Sequence, residues 1–232
     1  KREKDVLPML NIFSKNFTQE IDFSRDDLKT LFSIVYPTTK DYIDLENLSQ
    51  TDREKYVPKD LDAKVYLDYD KNNFITADIK FVYGDQEFNP LLENDLEISR
   101  DAIKESEVLE MFRKTGFMLD EKNARLILTN DEYIYNFLTN DIERYMQKLE
   151  VLATDNFKQK EVKQPRIVSL GVRVENNLLN IDLTKIDFDP TELVNILNKY
   201  KLKKKFYRLK DGSFLDLQDN ENLEFLNNIT ES

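Results

Sequence analysis

The sequence contains no cysteine, no histidine and only four glycines among 232 residues. Without cysteine, disulfides and thiolate-bound metals are both excluded. Without histidine, Ser-His and Cys-His nucleophile pairs, imidazole-based zinc sites and the usual general base near neutral pH are excluded as well. Gly84, Gly116, Gly171 and Gly212 lie at least 32 residues apart. Walker-type and dinucleotide-binding loops need clustered glycines to bring backbone close to phosphate, so neither can be written with these four. No apolar run approaches the roughly 18 residues needed to span a bilayer, and no signal peptide opens the chain. The absences remove most catalytic chemistry and predict no cofactor.

What is present is a core and an uneven charge. Leu, Ile, Val and Phe total 73 residues, about a third of the chain and well above the roughly 20% below which disorder is expected. The chain carries 34 basic and 45 acidic residues, net −11. An acidic, soluble, cytoplasmic protein is expected. The imbalance is confined to residues 1–150, with 21 basic and 32 acidic side chains; residues 151–232 carry 13 of each. The first residue is Lys1, within a charged stretch, and this reads as a piece of a longer polypeptide.

Periodicity places the elements. Residues 6–23 alternate irregularly, as extended structure with a turn. Ser24 is an N-cap for a short helix with Leu28, Leu31, Phe32 and Val35 on one face, which Pro37 should end. Residues 38–62 read as a loop with one helical turn. Val65, Leu67 and Tyr69, a turn at Asp70–Asn73, then Ile75, Ala77, Ile79, Phe81 and Tyr83 give a meander, with a third strand at 86–88 after Gly84-Asp85. Thr76, Asp78 and Lys80 mark its polar face, as in a half-buried antiparallel sheet.

Further on, a helix from Asp101 to Lys114 presents Val108, Leu109 and Phe112 and stops at Gly116. A small hairpin follows at 117–129. Thr129 with Glu132 reads as a capping box for a helix whose Ile134, Phe137, Leu138, Ile142, Tyr145 and Leu149 form a core stripe. After a polar link at 155–165, alternation at 168–174 and 179–183 predicts a hairpin turning at Asn176-Asn177. Asp189-Pro190 starts a helix buried through Leu193, Leu197 and Tyr200. Asp211-Gly212 suits a two-residue type I′ turn between strands 206–210 and 213–217. That register leaves apolar residues on both faces, so it predicts two-sided burial or a bulge. A last helix runs from Asp219 with Leu223, Leu226 and Ile229.

Three features could carry function. The first is a basic run of seven cations in twelve residues: Lys199, Lys201, Lys203, Lys204, Lys205, Arg208 and Lys210. Tyr200, Phe206 and Tyr207 are interleaved, a combination that suits a phosphate backbone and unstacked bases. The same residues also suit a solvated helix C-terminus followed by an edge strand protected by lysine. The second is Asp68-x-Asp70-x-Asn72, which opens like a calcium loop but has Asn73 and Ile79 where glycine and glutamate belong; a turn explains it better. The third is the abundance of carboxylates, none of which is singled out as a catalytic pair. No catalytic, cofactor-binding or metal-binding residue is nominated.

Several strings resemble one bacterial family, the helicase-associated region of Swi/Snf-type ATPases. They are Tyr66-Leu-Asp-Tyr-Asp70, Lys80-Phe-Val-Tyr-Gly84-Asp and Phe88-Asn-Pro-Leu91. Arg100-Asp101 leading to Thr115-Gly-Phe117, Tyr135 to Leu138 and Ala153-Thr-Asp-Asn-Phe157 follow in similar order. The closest is Leu202-Lys-Lys-Lys-Phe-Tyr-Arg-Leu-Lys-Asp-Gly-Ser-Phe-Leu-Asp-Leu217. The similarity spans roughly residues 64–229. It implies a non-catalytic accessory domain of a DNA-dependent ATPase, a helicase-like translocase whose ATP-binding motor lobes lie downstream in the parent chain. No binding residue carries over from it.

The expected fold is α+β: antiparallel β meanders and hairpins packed with about five helices. The expected divisions are an N-terminal extended and helical segment at 1–62, a meander with two helices at 63–154, and a hairpin, helix, Asp-Gly hairpin and terminal helix at 155–232, the last two able to form one domain. The expected partners are the parent's motor domain, another protein, or DNA through the parent, and no membrane. Two functional classes stay open. One is a regulatory or docking module, whose acidic first part could compete with DNA for basic motor surfaces. The other is a DNA-contacting module acting through residues 199–210. An independent hydrolase is a third.

Overall fold

The computed structural model describes residues 24–230 except 43, 47, 93–95, 97, 166, 176–177 and 187; for 25, 26, 167–175, 178–186, 229 and 230 it describes the backbone alone. The expected extended segment at 6–23, the Asn176-Asn177 turn and the packing of Ile229 lie outside the described residues.

The fold is α+β. A six-stranded sheet has the order β4-β5-β2-β1-β6, with β3 paired to β2. Its strands are β1 Leu61–Tyr69, β2 Ile75–Tyr83, β3 Gln86–Phe88, β4 Met118–Asp120, β5 Arg125–Leu128 and β6 Glu150–Ala153. A three-stranded sheet runs β10-β11-β7, from β7 Val162–Lys163, β10 Phe206–Arg208 and β11 Phe214–Asp216. β8 Ile167–Glu175 and β9 Leu178–Ile186 form a separate antiparallel hairpin. The alternation in the meander is reproduced: Val65, Leu67, Ile75, Ala77, Ile79 and Phe81 are fully buried or within 1% of it. Thr76, expected on the polar face, is buried too and donates to the Asp68 carbonyl at 3.2 Å.

Packing divides the chain into two units. The first comprises Lys1–Val65, Ala77–Leu126 and Leu149–Leu152, the second Tyr66–Thr76, Ile127–Lys148 and Ala153–Ser232. The first unit holds helices α1 (Arg25–Thr30, a π-helical turn Leu31–Val35, and Tyr36–Thr39), α2 Gln50–Tyr56 and α3 Ala102–Lys114. Ser24 caps α1 through a reciprocal box with Asp27. Pro37 does not end this helix, which continues to Thr39. The wider π turn pairs the Tyr36 amide with Leu31, and the Thr38 and Thr39 hydroxyls both donate to the Val35 carbonyl, at 2.8 and 2.9 Å. The expected loop at 38–62 contains α2, capped by Ser49, and β1 begins at Leu61 rather than 63.

At the buried start of α3, Asp101 caps the helix through Lys104 N–H, and its own amide donates to the Tyr83 hydroxyl at 2.9 Å. Tyr83 donates to Glu105 Oε1 at 2.8 Å, and Arg100 pairs with the same carboxylate. The guanidinium lies 4.6 Å from the Phe88 ring centroid. Burial and this carboxylate push the Tyr83 phenol far above its ordinary pKa. The 8% exposed Glu105 is therefore paired as well as buried, as a structural ion must be.

The second unit holds α4 (Asp131–Asn136, a π turn Phe137–Asp141, and Ile142–Lys148), α5 Asp155–Gln159, α6 Leu193–Lys201 and α7 Glu221–Thr230. Asn130, not Thr129, caps α4: its side chain accepts from Glu132 N–H at 2.9 Å and Tyr133 N–H at 3.2 Å. Asn caps as well as Thr and stands one residue closer. Likewise α7 begins at Glu221 and not at Asp219: Asn220 caps it, accepting from Leu223 N–H at 3.0 Å, and Asp219 precedes it with φ +47°. The polar link at 155–165 contains α5 and β7. β7 pairs parallel with β11 (Val162 with Phe214, Lys163 with Leu215), a pairing the antiparallel expectation lacked.

The hairpin at 206–216 corrects the expected register. Phe206 pairs with Asp216, Tyr207 with Leu215 and Arg208 with Phe214. The loop has three residues: Gly212 N–H donates to the Leu209 carbonyl and Leu209 N–H to Ser213, both at 2.9 Å. Gly212 takes φ +89° and Asp211 does not enter the left-handed region, so this is a G1-type bulge and not a type I′ turn. Asp211 favours that geometry by accepting from Ser213 N–H at 2.8 Å and Ser213 Oγ at 2.6 Å. One extra loop residue shifts the pairing by one and sorts the side chains onto two faces.

One face, Leu209, Leu215 and Leu217 with Tyr207, joins Phe188, Ile196, Leu197, Leu223 and Leu226 in a core cluster. On the other face Phe206 stacks on Tyr135 at 4.6 Å and 19°, and Phe214 sits 5.3 Å from Phe206. Both faces are buried. The Asp70–Asn73 turn has the same hydrogen-bond pattern, with Asn73 at φ +61° as its left-handed residue. The two turns abut so closely that a Cβ on Gly212 would stand 2.4 Å from Asn73 Cγ.

Candidate functional site

The basic run spans the end of α6, a turn and β10, and the fold treats its members differently. Helix α6 ends in a Schellman motif: Lys203 N–H donates to Tyr200 at 2.8 Å and Lys204 N–H to Lys199 at 3.1 Å. Lys203 occupies the left-handed position, φ +53°, where glycine is the inexpensive choice. The chain reverses there. Lys199, Lys203, Lys204 and Lys205 thus line one cleft of about 810 Å³ with Phe206, Tyr207 and Arg208. Thr129, Asn130, Asp131 and Glu132, at the start of α4, form its other wall. Lys201 and Lys210 do not line it. Lys210 extends instead toward Asp189 at 4.0 Å and Thr191 at 3.3 Å.

Arg208 is spent on structure. Its guanidinium donates to Asp131 Oδ1 and to the Asn73 carbonyl, and it lies 5.1 Å from the Phe214 centroid. Its side chain is 15% exposed. By contrast, Lys199, Lys203, Lys204 and Lys205 are exposed and form no ion pair with any described residue. Sequence grouped these cations by proximity. It missed Asp131 and Asn73, which are 77 and 135 positions from Arg208; no local signal marks such partners.

The aromatics interleaved with the lysines are also engaged. Phe206 stacks on Tyr135, Tyr200 packs on the core cluster, and Tyr207 donates its hydroxyl to the buried Glu192 at 3.0 Å. Burial, reinforced by Glu192, raises the Tyr207 phenol above its ordinary value. Base stacking, the second half of the nucleic-acid reading, thus lacks a ring that is not already packed among those three.

The Asp68–Asn72 segment is a structural clasp. Asp70 Oδ1 accepts from Asn72 N–H at 2.9 Å and Phe74 N–H at 2.8 Å. Asp68 Oδ1 accepts from Thr154 Oγ1 at 2.6 Å, Asn156 Nδ2 at 3.0 Å and Tyr69 N–H at 2.7 Å. Burial alone would raise the Asp68 carboxyl, but these donors and the Lys160 charge hold it below its ordinary 3.8. Lys160 lies over the Tyr69 ring at 4.9 Å, and burial pushes that phenol up to about 12. No group of three or more carboxylates suited to a metal ion occurs among the described residues.

Residues 1–232 match the family described as bacterial SNF2 helicase associated. The chain belongs to that family. The match extends through the first 63 residues, where the resemblance read from individual strings had faded. No curated protein and no solved structure matched the chain. The family description, SNF2 helicase associated, is consistent with an accessory domain, and no described helix is long and apolar enough to cross a membrane.

Proposed function

We propose that this SNF2 helicase-associated domain is a non-catalytic, cytoplasmic accessory part of a bacterial DNA-dependent ATPase, a helicase-like translocase, and that it docks on the motor lobes or on another protein to regulate the motor. The observation that carries the reading is family membership over the whole length. It is supported by a sequence with no histidine, no cysteine and no phosphate-binding loop, and by buried ionisable groups that are paired for structure, such as Glu105 with Arg100. The excess negative charge of residues 1–150 suits competition with DNA for basic motor surfaces.

The test mixes the purified chain with the separately purified ATPase core of a bacterial SNF2-family helicase. Co-elution on size exclusion and a change in DNA-stimulated ATP hydrolysis are expected. ATP hydrolysis by the chain alone, or no association and no change in rate, would overturn the proposal.

A second reading keeps DNA contact through residues 199–210, favoured by four lysines without described ionic partners. On that reading, neutralising Lys203, Lys204 and Lys205 lowers DNA affinity and reduces its salt dependence by about three counterions. Unchanged binding after the triple substitution removes it.

A further inference from the structure

We infer that the cleft between residues 199–208 and 129–132 is a docking groove for an extended acidic segment of a protein partner, laid along the outer edge of β10. The inference rests on the protein-docking reading above and names its site and ligand chemistry.

Four observations carry it. First, Lys203 holds a left-handed backbone conformation at φ +53°, which is strained for an L-residue and unstrained for glycine. Second, the Schellman motif usually closes with an apolar contact between its C3 and C″ residues; here those positions are Lys199 and Lys204. Charge is concentrated where local stability would favour a small residue and an apolar pair. Third, those two lysines with Lys203 and Lys205 make no ion pair with a described residue, although the chain as a whole is net −11. Fourth, β10 ends the order β10-β11-β7, and its residues Phe206–Arg208 line the cleft. An edge strand offers backbone hydrogen bonds to an added strand, and flanking lysines offer specificity for acidic side chains.

The facing wall decides between ligand classes. Glu132 borders the same cleft beside Asp131, which is paired with Arg208. A polyphosphate would bring charge to this wall at every unit, whereas an extended strand presents side chains alternately to its two faces and can keep its charge on the lysine side. In an acidic strand the carboxylates meet the lysines, and a backbone N–H or a hydroxyl on the other side meets Glu132. Neither Phe206, Tyr200 nor Tyr207 is left to stack on a base.

The test measures fluorescence anisotropy of the whole 232-residue chain with four labelled probes, at low and moderate salt. These are a peptide of alternating threonine and glutamate, its threonine-lysine counterpart, oligo-dT and a short DNA duplex. The acidic peptide is expected to bind most tightly and to protect β10 amides from hydrogen exchange. The variant Lys203→Gln/Lys204→Gln/Lys205→Gln should weaken it about tenfold, three exposed cations at about half a kcal/mol each. Lys71→Gln/Lys122→Gln/Lys148→Gln, with equal charge loss outside the cleft, should change it less than about twofold. Circular dichroism melts of both variants confirm folding. Tighter binding of either nucleic acid, equal loss in the two variants, or no binding of the acidic peptide would each overturn the inference. Association with the ATPase core in the preceding experiment would survive that failure, so the two readings fail separately.

Discussion

The turn at Lys203–Lys205 and the strand at Phe206–Arg208 adjoin in sequence and share a sign of charge, yet the fold uses them in opposite ways. In the strand, Arg208 is driven against the Phe214 ring and tied to Asp131 and the Asn73 carbonyl. In the turn, three lysines stand in solvent, one of them in a strained backbone. Local charge density therefore says little about availability. What separates the two is the pairing geometry of β10 and β11, which points Arg208 into a packed face and leaves the preceding turn outside it.

The contrast rests first on the hairpin's being buried on both sides. Phe214 and Leu215 are each 0% exposed and point to opposite faces. Phe214→Ala and Leu215→Ala should each cost about 3–4 kcal/mol in urea unfolding. A loss confined to one of them would mean that only one face is core. Next in size, Arg208→Ala should cost about 2–3 kcal/mol, because it removes charged hydrogen bonds and leaves the Asn73 carbonyl unpaired. Arg208→Lys should recover only part of this, since an ammonium cannot span both acceptors and stack. A cost near zero would place Arg208 with the exposed lysines after all.

A smaller effect concerns the clasp at Asp68. Its folded carboxyl is held below 3.8. The stabilisation is thus complete above that value and is lost as pH falls through the lower folded pKa. Asp68→Asn should cost about 1 kcal/mol at neutral pH, discounted for solvent exposure. It should also flatten the acid limb of a stability–pH profile below 3.8. An unchanged limb would assign acid sensitivity elsewhere, for example to Asp211, another carboxylate held low, by Ser213 against the effect of burial. The smallest effect has the opposite sign. Lys203→Gly should stabilise the chain by about 0.5 kcal/mol, the relief of the left-handed backbone being partly offset by the greater freedom of glycine in the unfolded chain. A destabilising result would show that the ammonium group contributes more to the fold than its exposure suggests.

Much of the fold was legible because local physics was decisive there. The meander from Val65 to Phe88 reads off a period of two, and α3 off its Asp101 cap and Gly116 stop. The basic cluster was legible as composition but not as geometry. Tyr135 lay off the apolar stripe of its helix, yet it is buried beneath Phe206, a partner 71 positions away. Similarly, α5 and β7 were hidden in a polar stretch, because β7 is only two residues long and exists by pairing with β11.

The α+β class, the order of the principal strands and helices, the exclusion of histidine, thiolate and phosphate-loop chemistry, and the family are all readable from residue order alone. These depend on composition, on alternation over neighbouring residues and on short strings, all of which are local. Which cations are paired and which wall a cleft, where the hairpin bulges, and why Gly212 must lack a side chain became visible in the folded chain. Those outcomes depend on groups such as Asn73 and Asp131, brought to Arg208 across 135 and 77 residues. Contacts at that separation are set by how whole elements pack and leave no periodic trace in the chain.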